Sequence, residues 1–231
     1  MALADRITEV DRRIAAACER SGRKREDVRV VAVTKYVSAA AARAVVEQGI
    51  TQLGENRWPA SEEKWNLLRG QASFHFIGSL QTKKVREVVG RFDYIHSLDR
   101  LSLAEEIEKR ASALGIVVPC FVQVNVSGEE SKHGLSPNEA ADFAAAIRPL
   151  RHIRPIGLMT MAPIELEAEE ARPVFRELRL LKDKLNAGGV FGNELAELSM
   201  GMSGDFEVAI EEGATWVRLG TVLVGKEEEE A

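Results

Sequence analysis

The run Val28-Arg29-Val30-Val31-Ala32-Val33-Thr34-Lys35 opens the repeating pattern that decides the fold. It is rich in β-branched residues and is followed by Ser38, a residue type that is common in turns. This pattern predicts a buried strand over residues 28–35. A lysine therefore lies where a buried strand meets a loop. Such an amine can react with a carbonyl when it faces a partly desolvated pocket. The alternative is an inert lysine whose stem lies along the strand while its ammonium reaches water.

Predicted strands and helices alternate along the rest of the chain. The predicted strands cover residues 28–35, 50–55, 73–77, 92–96, 117–126, 153–159, 195–200 and 215–219. The predicted helices cover residues 3–19, 38–48, 58–68, 81–89, 101–114, 138–148, 171–186 and 205–212. Because strands separated by helices form parallel sheets with right-handed crossovers, eight such units predict an α/β fold, a closed (β/α)8 TIM barrel. The competing architecture is an open doubly wound sheet, but no Gly-x-Gly-x-x-Gly follows the first strand.

Length and composition favour one soluble domain. The chain has 231 residues, of which 45% are hydrophobic and 29% charged, so it can bury a large core and keep a charged surface. We predict a single barrel over residues 1–225, with an extra N-terminal helix over residues 1–20. Residues 226–231 are predicted to be a solvated acidic tail.

The same composition disfavours several function classes. A net charge of -5 argues against nucleic acid as the main partner. The most apolar stretch, residues 117–126, is too short to span a bilayer, and the N-terminus lacks the apolar segment of a secretory leader. Two cysteines form neither a disulfide framework nor a metal-ligand spacing, so we expect a cytoplasmic protein without a metal site.

Two loops after the last predicted strands have the chemistry of an anion site. The first is Ser199-Met200-Gly201-Met202-Ser203-Gly204-Asp205-Phe206, whose glycines allow backbone N–H groups to converge. Ser203 is predicted to cap the following helix, whose positive end would then face the loop. The second is Val217-Arg218-Leu219-Gly220-Thr221. Phosphate sites in this fold are typically built from these two loops, although an ordinary helix cap in a flexible turn is the alternative for the first.

Other polar residues fall near the same predicted mouth. Arg218 lies two residues after Trp216, so both face one side of the strand, and in the lumen Arg218 would need an acceptor. A salt bridge at the barrel end is the alternative. Asn56 offers an amide after the second strand. The loop after the fifth strand carries Glu129, Glu130, Lys132 and His133, which are predicted to be solvated charges; a second amine at the mouth, Lys132, is the alternative. His75 alternates with two phenylalanines and is predicted to be a packed, hydrogen-bonded histidine.

The ligand predicted by these features is a phosphorylated aldehyde held as a Schiff base. Lys35 would react with the aldehyde, and the two loops and Arg218 would bind the phosphorylated molecule. Pyridoxal phosphate is one such ligand. A sugar phosphate bound by a class I aldolase is another.

Seven segments carry a resemblance to a known family. They are Val31-Ala32-Val33-Thr34-Lys35, Gly54-Glu55-Asn56, His75-Phe76-Ile77-Gly78-Ser79-Leu80-Gln81, Val124-Asn125-Val126, Gly157-Leu158-Met159, Leu198 through Phe206, and Val217 through Thr221. They follow the family's order and cover nearly the whole chain. On these segments the chain resembles the pyridoxal phosphate homeostasis proteins, whose fold is similar to the N-terminal barrel of alanine racemase.

The resemblance implies a pyridoxal phosphate site. Lys35 would form the Schiff base, Arg218 would approach the pyridine nitrogen, and Asn56 would lie near the ring's substituents. The residues implied at the phosphate end are Ser199, Met200, Ser203, Gly204, Gly220 and Thr221.

The resemblance favours binding over catalysis. An arginine at the pyridine nitrogen disfavours its protonation, because two positive charges would meet, and an unprotonated ring is a poor electron sink. Racemases of this fold add a tyrosine from a second domain, which we expect this chain to lack. Strand alternation is expected to point Tyr36 away from the face of Lys35.

We therefore expect no catalytic residue. The expected protein is a monomer, without a nucleic acid or membrane partner, that holds pyridoxal phosphate reversibly for vitamin B6 homeostasis and can pass it to apo-enzymes. The alternative is a pyridoxal phosphate-dependent amino-acid racemase-like enzyme.

Overall fold

Eight parallel strands close into one barrel in chain order, which confirms the predicted TIM barrel. The computed structural model describes residues 2–129 and 133–225, so Lys132 and the tail over residues 226–231 lie outside the described residues. The strands are β1 (Arg29–Val33), β2 (Gln52–Glu55), β3 (Ser73–Phe76), β4 (Tyr94–Leu98), β5 (Val118–Gln123), β6 (Ile153–Met159), β7 (Glu197–Ser199) and β8 (Trp216–Leu219).

Helices surround the barrel. They are α1 (Leu3–Arg20), α2 (Ala39–Glu47), α3 (Glu62–Leu68), α4 (Val85–Val88), α5 (Leu101–Leu114), α6 (Ala140–Ile147), α7 (Ala168–Ala187), α8 (Phe206–Glu211) and α9 (Thr221–Val224), with short 3-10 helices at Arg25–Asp27, Thr82–Lys84 and Pro137–Glu139. Helix α9 was not predicted, because a four-residue helix is too short to show an apolar repeat. It matters for function, since it begins at a predicted site residue.

The register of the strands brings the predicted site loops together. Ala32 of β1 is paired with Leu53 of β2 on one side and with Leu219 of β8 on the other. All three strands run in the same direction, so they end at the same level of the barrel. The loops that follow β1, β2 and β8 therefore meet at one mouth.

The core has two apolar parts. One fills the space between the strands and the helices and includes Ile14, Phe74 and Phe206. The other fills the barrel lumen with Trp216 and Phe121, among others. Burying each such side chain contributes about 1.5–3 kcal/mol. Because the lumen is packed, a ligand site is confined to the end of the barrel, as in other TIM barrels.

The N-terminal helix fixes the end of the chain to the barrel. Helix α1 packs against α8 and α9. Arg6 donates from Nε to the carbonyl oxygen of Leu223 at 2.8 Å and from Nη2 to that of Val224 at 3.0 Å. These carbonyls belong to the last turn of α9, where they lack partners within the helix. The N-terminal helix therefore helps to hold the loop that carries Thr221.

Candidate functional site

A cavity of about 840 Å³ opens at the C-terminal ends of the strands. Loops that follow β1, β2, β3, β6, β7 and β8 contribute to its wall. The structure brings seven of the predicted site residues into this wall: Lys35, Asn56, Ser203, Gly204, Arg218, Gly220 and Thr221. The cavity has the size expected for a small-molecule site.

Two predicted site residues lie behind the wall instead. Ser199 is fully buried at the end of β7, where its hydroxyl contacts the guanidinium of Arg218. Met200 is also fully buried and belongs to the apolar core around the barrel. Ser199 therefore contacts the cavity wall through Arg218, and Met200 supports the wall by packing in the core behind it.

Lys35 lies in a turn and not in the strand that precedes it. Strand β1 ends at Val33, and the backbone N–H of Val37 donates to the carbonyl of Thr34 at 3.1 Å. Strand alternation therefore does not govern the next residue, and the expectation that Tyr36 points away from Lys35 is wrong. Tyr36 lines the same cavity, and its ring centroid lies 4.9 Å from the Lys35 ammonium. This distance is that of a cation–π contact.

A buried ion pair fixes the residue before Lys35. Lys64 of α3 donates to the carboxylate of Glu55 at 2.9 Å and to the backbone carbonyl of Thr34 at 2.5 Å. The Thr34 hydroxyl donates to the same carboxylate oxygen at 2.7 Å. All three residues are buried. Both the backbone and the side chain of Thr34 are therefore anchored, which restricts where the Lys35 side chain can begin.

The sequence contained a signal for this ion pair that our interpretation missed. Glu55 is the last residue of the strand predicted over residues 50–55, and a carboxylate that is buried in a barrel strand requires a partner. Lys64 was placed in the helix predicted over residues 58–68. Periodicity does not show which charge on a helix faces which strand, so the pair was not predicted.

Arg218 lies at the floor of the cavity. It is 4% exposed, donates from Nη1 to Ser199 Oγ at 2.6 Å and donates from Nη2 to the carbonyl of Thr160 at 2.9 Å. Burial lowers the pKa of the Arg218 guanidinium to about 10, while Asp205 acts in the opposite direction. The guanidinium thus stays charged at neutral pH. Its two hydrogen-bond acceptors among the described residues, the Ser199 hydroxyl and the Thr160 carbonyl, are both neutral.

One hydroxyl joins the loops after β7 and β8, which were predicted to form an anion site. Ser203 Oγ accepts from the backbone N–H of Gly220 at 3.3 Å and from that of Val222 at 3.4 Å. The N-cap of α8 is Asp205, so the prediction that Ser203 caps this helix is wrong. The helix begins later than the loop sequence suggested, and Ser203 faces α9 instead of α8. The hydroxyl thereby holds the loops after β7 and β8 together.

Gly201 makes this arrangement possible. Its φ of +93° lies in the left-handed region, and an added Cβ would lie 2.6 Å from the Cβ of Ala209. Its carbonyl accepts from the backbone N–H of Arg218 at 3.0 Å. Gly201 therefore permits the close approach of α8 and β8 behind the cavity.

His75 agrees with its prediction. It is fully buried and hydrogen-bonded at both ring nitrogens, to His96 at 2.9 Å and to Gln52 at 2.8 Å. Within the residues that the structure describes, no group of three or more histidine, cysteine, aspartate or glutamate side chains could hold a metal ion. No described helix combines the length and the apolarity that crossing a membrane requires.

Comparison with known proteins identifies the family. The sequence profile of the alanine racemase N-terminal domain matches residues 8–228. The chain is 42% identical over 223 residues to the pyridoxal phosphate homeostasis protein of Aquifex aeolicus, covering 96% of this chain and 97% of that protein. The chain belongs to the pyridoxal phosphate homeostasis protein family. The homeostasis protein of Pseudomonas aeruginosa is 39% identical over 225 residues, covering 96% of this chain and 95% of that protein.

Solved structures place this family member among related barrels. PipY of Synechococcus elongatus, solved with pyridoxal phosphate bound, superposes with a TM-score of 0.85 at 33% identity, covering 97% of this chain and all of that chain. Alanine racemase from Clostridium difficile superposes with a TM-score of 0.72 at 18% identity, covering 96% of this chain and 56% of that chain. The racemase comparison shows a shared fold only.

Proposed function

We propose that this homeostasis-family member binds pyridoxal phosphate reversibly, with Lys35 as the covalent attachment point. One observation carries the proposal: a lysine, a buried guanidinium and two loops of anion-site chemistry line one cavity. The relative PipY, whose whole chain matches this one, was solved with the same cofactor. When bound there, the cofactor would supply an aldehyde for reversible condensation with the Lys35 amine, with loss of water.

The donor set of the cavity fits the cofactor. The backbone N–H groups of Ser203, Gly204 and Thr221 donate to no acceptor within residues 2–129 and 133–225. All three residues line the cavity, so these donors are available to a phosphate. An added Cβ at Gly204 would meet nothing within 4 Å, so the cavity reaches the backbone there. The aldehyde, the phosphate and the ring nitrogen each have a complementary partner in this wall.

Each side chain has a distinct role in this proposal. Thr221 and Ser203 hold the phosphate with the glycine backbones of the two loops. Asn56 lies beside the ring, where Gly78 allows close packing, because a Cβ there would lie 2.6 Å from the Asn56 carbonyl oxygen. Arg218 presents a charged donor to the ring nitrogen and thus keeps that nitrogen unprotonated. Ser199 holds Arg218 in place.

The role that we propose is storage and delivery in vitamin B6 homeostasis. A ring nitrogen without a proton withdraws electrons poorly, so the site favours holding the cofactor over carbanion chemistry. The open mouth permits exchange with apo-enzymes. We further propose that the protein is a cytoplasmic monomer that uses neither nucleic acid nor a membrane.

One observation favours a second candidate, a racemase-like enzyme. Tyr36 shares the cavity with Lys35 and is 79% exposed, so a phenol stands beside the amine at the mouth. A lysine and a tyrosine could exchange protons with a bound amino acid. The two candidates predict different outcomes with amino acids.

The test uses the purified full chain loaded with pyridoxal phosphate. The proposal expects a visible absorbance band that is absent in Lys35→Ala, transfer of the cofactor to an added apo-enzyme, and no change of chirality in a panel of L-amino acids. Sustained racemisation that Tyr36→Phe abolishes would replace storage by catalysis. An unchanged band in Lys35→Ala would overturn the attachment site.

A further inference from the structure

A chain of polar side chains crosses the barrel lumen beneath Arg218. Arg218 Nη1 contacts Ser199 Oγ at 2.6 Å, and the same oxygen lies 2.9 Å from His96 Nδ1. His96 Nε2 lies 2.9 Å from His75 Nδ1, and His75 Nε2 lies 2.8 Å from Gln52 Oε1. These groups come from β8, β7, β4, β3 and β2. We call the five residues the lumen chain.

The lumen chain has one direction that satisfies all its members. A guanidinium can only donate, so Ser199 accepts from Arg218. Ser199 Oγ has one further partner among the described residues, His96 Nδ1, so its hydroxyl proton is used only if it donates there. His96 then carries its proton on Nε2 and donates to His75.

The direction continues to the far end of the chain. Because His75 accepts at Nδ1, it carries its proton on Nε2 and donates to the amide oxygen of Gln52. The opposite direction would make Ser199 accept from both neighbours and leave its own proton without an acceptor in the described lumen. A buried hydroxyl in that state costs free energy.

The packing around the lumen chain keeps both histidines neutral and fixed. The His96 ring stacks on Phe121 with a centroid distance of 4.3 Å, and the His75 ring stacks on Tyr94 at 4.5 Å. Trp216 lies 5.0 Å from His75. Burial lowers the pKa of both histidines, to about 3 for His75, and the pKa of His96 is lowered further by His75 and Arg218. Arg218 is the one charged member of the chain.

We infer that Ser199, His96 and His75 are positioning residues that hold the Arg218 guanidinium against the cavity floor through a one-way chain of neutral hydrogen bonds. A neutral chain orients the guanidinium without cancelling its charge, whereas a carboxylate at Ser199 would neutralise it. Because no carboxylate is hydrogen-bonded to Arg218 among the described residues, its charge is available to the cavity and is offset only by the more distant Asp205. For the ligand this inference rests on the proposed function, in which the acceptor for Arg218 would be the pyridine nitrogen of the bound cofactor.

The first test uses the cofactor-free protein. Nitrogen-15 NMR of the histidine rings should show both His75 and His96 neutral, with the proton on Nε2, and unchanged between pH 5 and pH 9. Loss of the signals in His75→Gln and His96→Asn assigns them. A proton on Nδ1 of either ring, or a charged ring in this range, would overturn the direction of the chain. This test does not depend on whether pyridoxal phosphate binds.

The second test uses the protein loaded with pyridoxal phosphate. Ser199→Ala removes the link between Arg218 and His96, and we expect the dissociation constant to rise about tenfold with a shift of the visible absorbance maximum. His96→Leu should shift the maximum in the same direction. His96→Asn should restore it in part, because the Asn amide oxygen can replace Nδ1 as the acceptor for Ser199. His152→Gln, in a partly buried pair with Glu108 outside the cavity wall, is the matched control that should change neither quantity.

The outcomes separate the inference from the proposed function. If Ser199→Ala fails to fold by circular dichroism, the contrast between His96→Leu and His96→Asn decides. If these variants bind with the parent's spectrum and dissociation constant, the positioning role is overturned while the proposed function stands. If the parent binds no cofactor on Lys35, the proposed function is wrong, and the NMR measurement alone tests the direction of the lumen chain.

Discussion

Among the described residues, two buried cations lie near the candidate site, and their hydrogen-bond partners differ in charge. Lys64 is paired with the carboxylate of Glu55 at 2.9 Å, and both side chains are more than nine-tenths buried. Arg218 is equally buried but contacts a hydroxyl and a carbonyl, both neutral. Lys64 is absent from the wall of the cavity, whereas Arg218 is part of it.

The difference indicates what each charge does. A buried ion pair cancels its own field, so Lys64 and Glu55 organise the backbone before Lys35 and offer nothing to a ligand. A buried cation among neutral acceptors still exerts its electrostatic field on its surroundings. Burying it costs free energy of folding, and such costs are typical of functional sites. We therefore assign Lys64 to the scaffold of Lys35 and Arg218 to the ligand.

The largest expected effect is on folding. Lys64→Met leaves the Glu55 carboxylate buried without a cation, with only the Thr34 hydroxyl donating to it, and should lower the free energy of unfolding by about 3–5 kcal/mol in urea denaturation. Adding Glu55→Leu should recover much of the loss, because the unpaired charge is then gone. Lys84→Met, which breaks a more exposed pair with Glu87, is the control and should cost less than about 1 kcal/mol. Equal losses in both single variants would contradict the scaffold assignment.

Substitution of Arg218 should affect ligand binding more than folding. Arg218→Met removes a buried cation whose hydrogen-bond acceptors are neutral, so its cost in unfolding free energy should be smaller than that of Lys64→Met. The dissociation constant for pyridoxal phosphate should rise about 10- to 100-fold, as expected for a lost charged hydrogen bond. Fluorescence titration measures it, with Arg218→Lys as the charge-conserving comparison. Unchanged affinity in Arg218→Met would remove Arg218 from the ligand site.

The neutral surroundings of Arg218 also predict a pH dependence. The pKa of His75 falls from 6.5 to about 3 because of burial, so below pH 6.5 the unfolded chain binds a proton that the folded chain does not. Stability contributed by the neutral ring is therefore present above pH 6.5 and is lost as the pH falls towards 3. The slope approaches about 1.4 kcal/mol per pH unit for this histidine. Urea denaturation at a series of pH values between 4 and 8 gives the free energy of unfolding, which should depend less steeply on pH in His75→Gln than in the parent. The same pH dependence in both proteins would contradict the neutral state of His75.

The smallest expected effect lies at the phosphate end. Gly204→Ala adds a methyl group that meets no protein atom within 4 Å, so stability should stay within about 0.5 kcal/mol of the parent. The methyl group occupies cavity space, so the dissociation constant should rise about three- to tenfold by steric exclusion. Gly201→Ala is the contrasting variant, because its methyl group would collide with Ala209 and destabilise the fold. Tighter binding in Gly204→Ala would place the phosphate elsewhere.

Much of the fold could be predicted because each element carries its own local signal. The β-branched run before Lys35 and the apolar repeat of α5 can be recognised without knowing their neighbours. Helix α7 shows the limit, since it begins at Ala168 and includes Pro173 as its sixth residue, although the predicted start was residue 171. Element boundaries depend on tertiary packing as well as on local preference.

The errors at the site have the same origin. The side of Lys35 on which Tyr36 lies depended on where β1 ends, and the strand ends two residues before Lys35. The role of Ser203 depended on where α8 begins. The pairing of Lys64 with Glu55 and the link from His96 to Ser199, 103 residues away, need the register of distant elements. Residue type and order gave the ligand class, whereas only the folded barrel gives the partners.

Chemical labelling of the lysines tests the attachment point most directly. The protein loaded with pyridoxal phosphate is reduced with borohydride, digested and mapped by mass spectrometry. We expect the pyridoxyl group on the peptide that contains Lys35 and none on the buried, ion-paired Lys64. A pyridoxyl group on Lys64 or on another lysine in place of Lys35, or on no lysine at all, would contradict the central claim that Lys35 is the reversible attachment point.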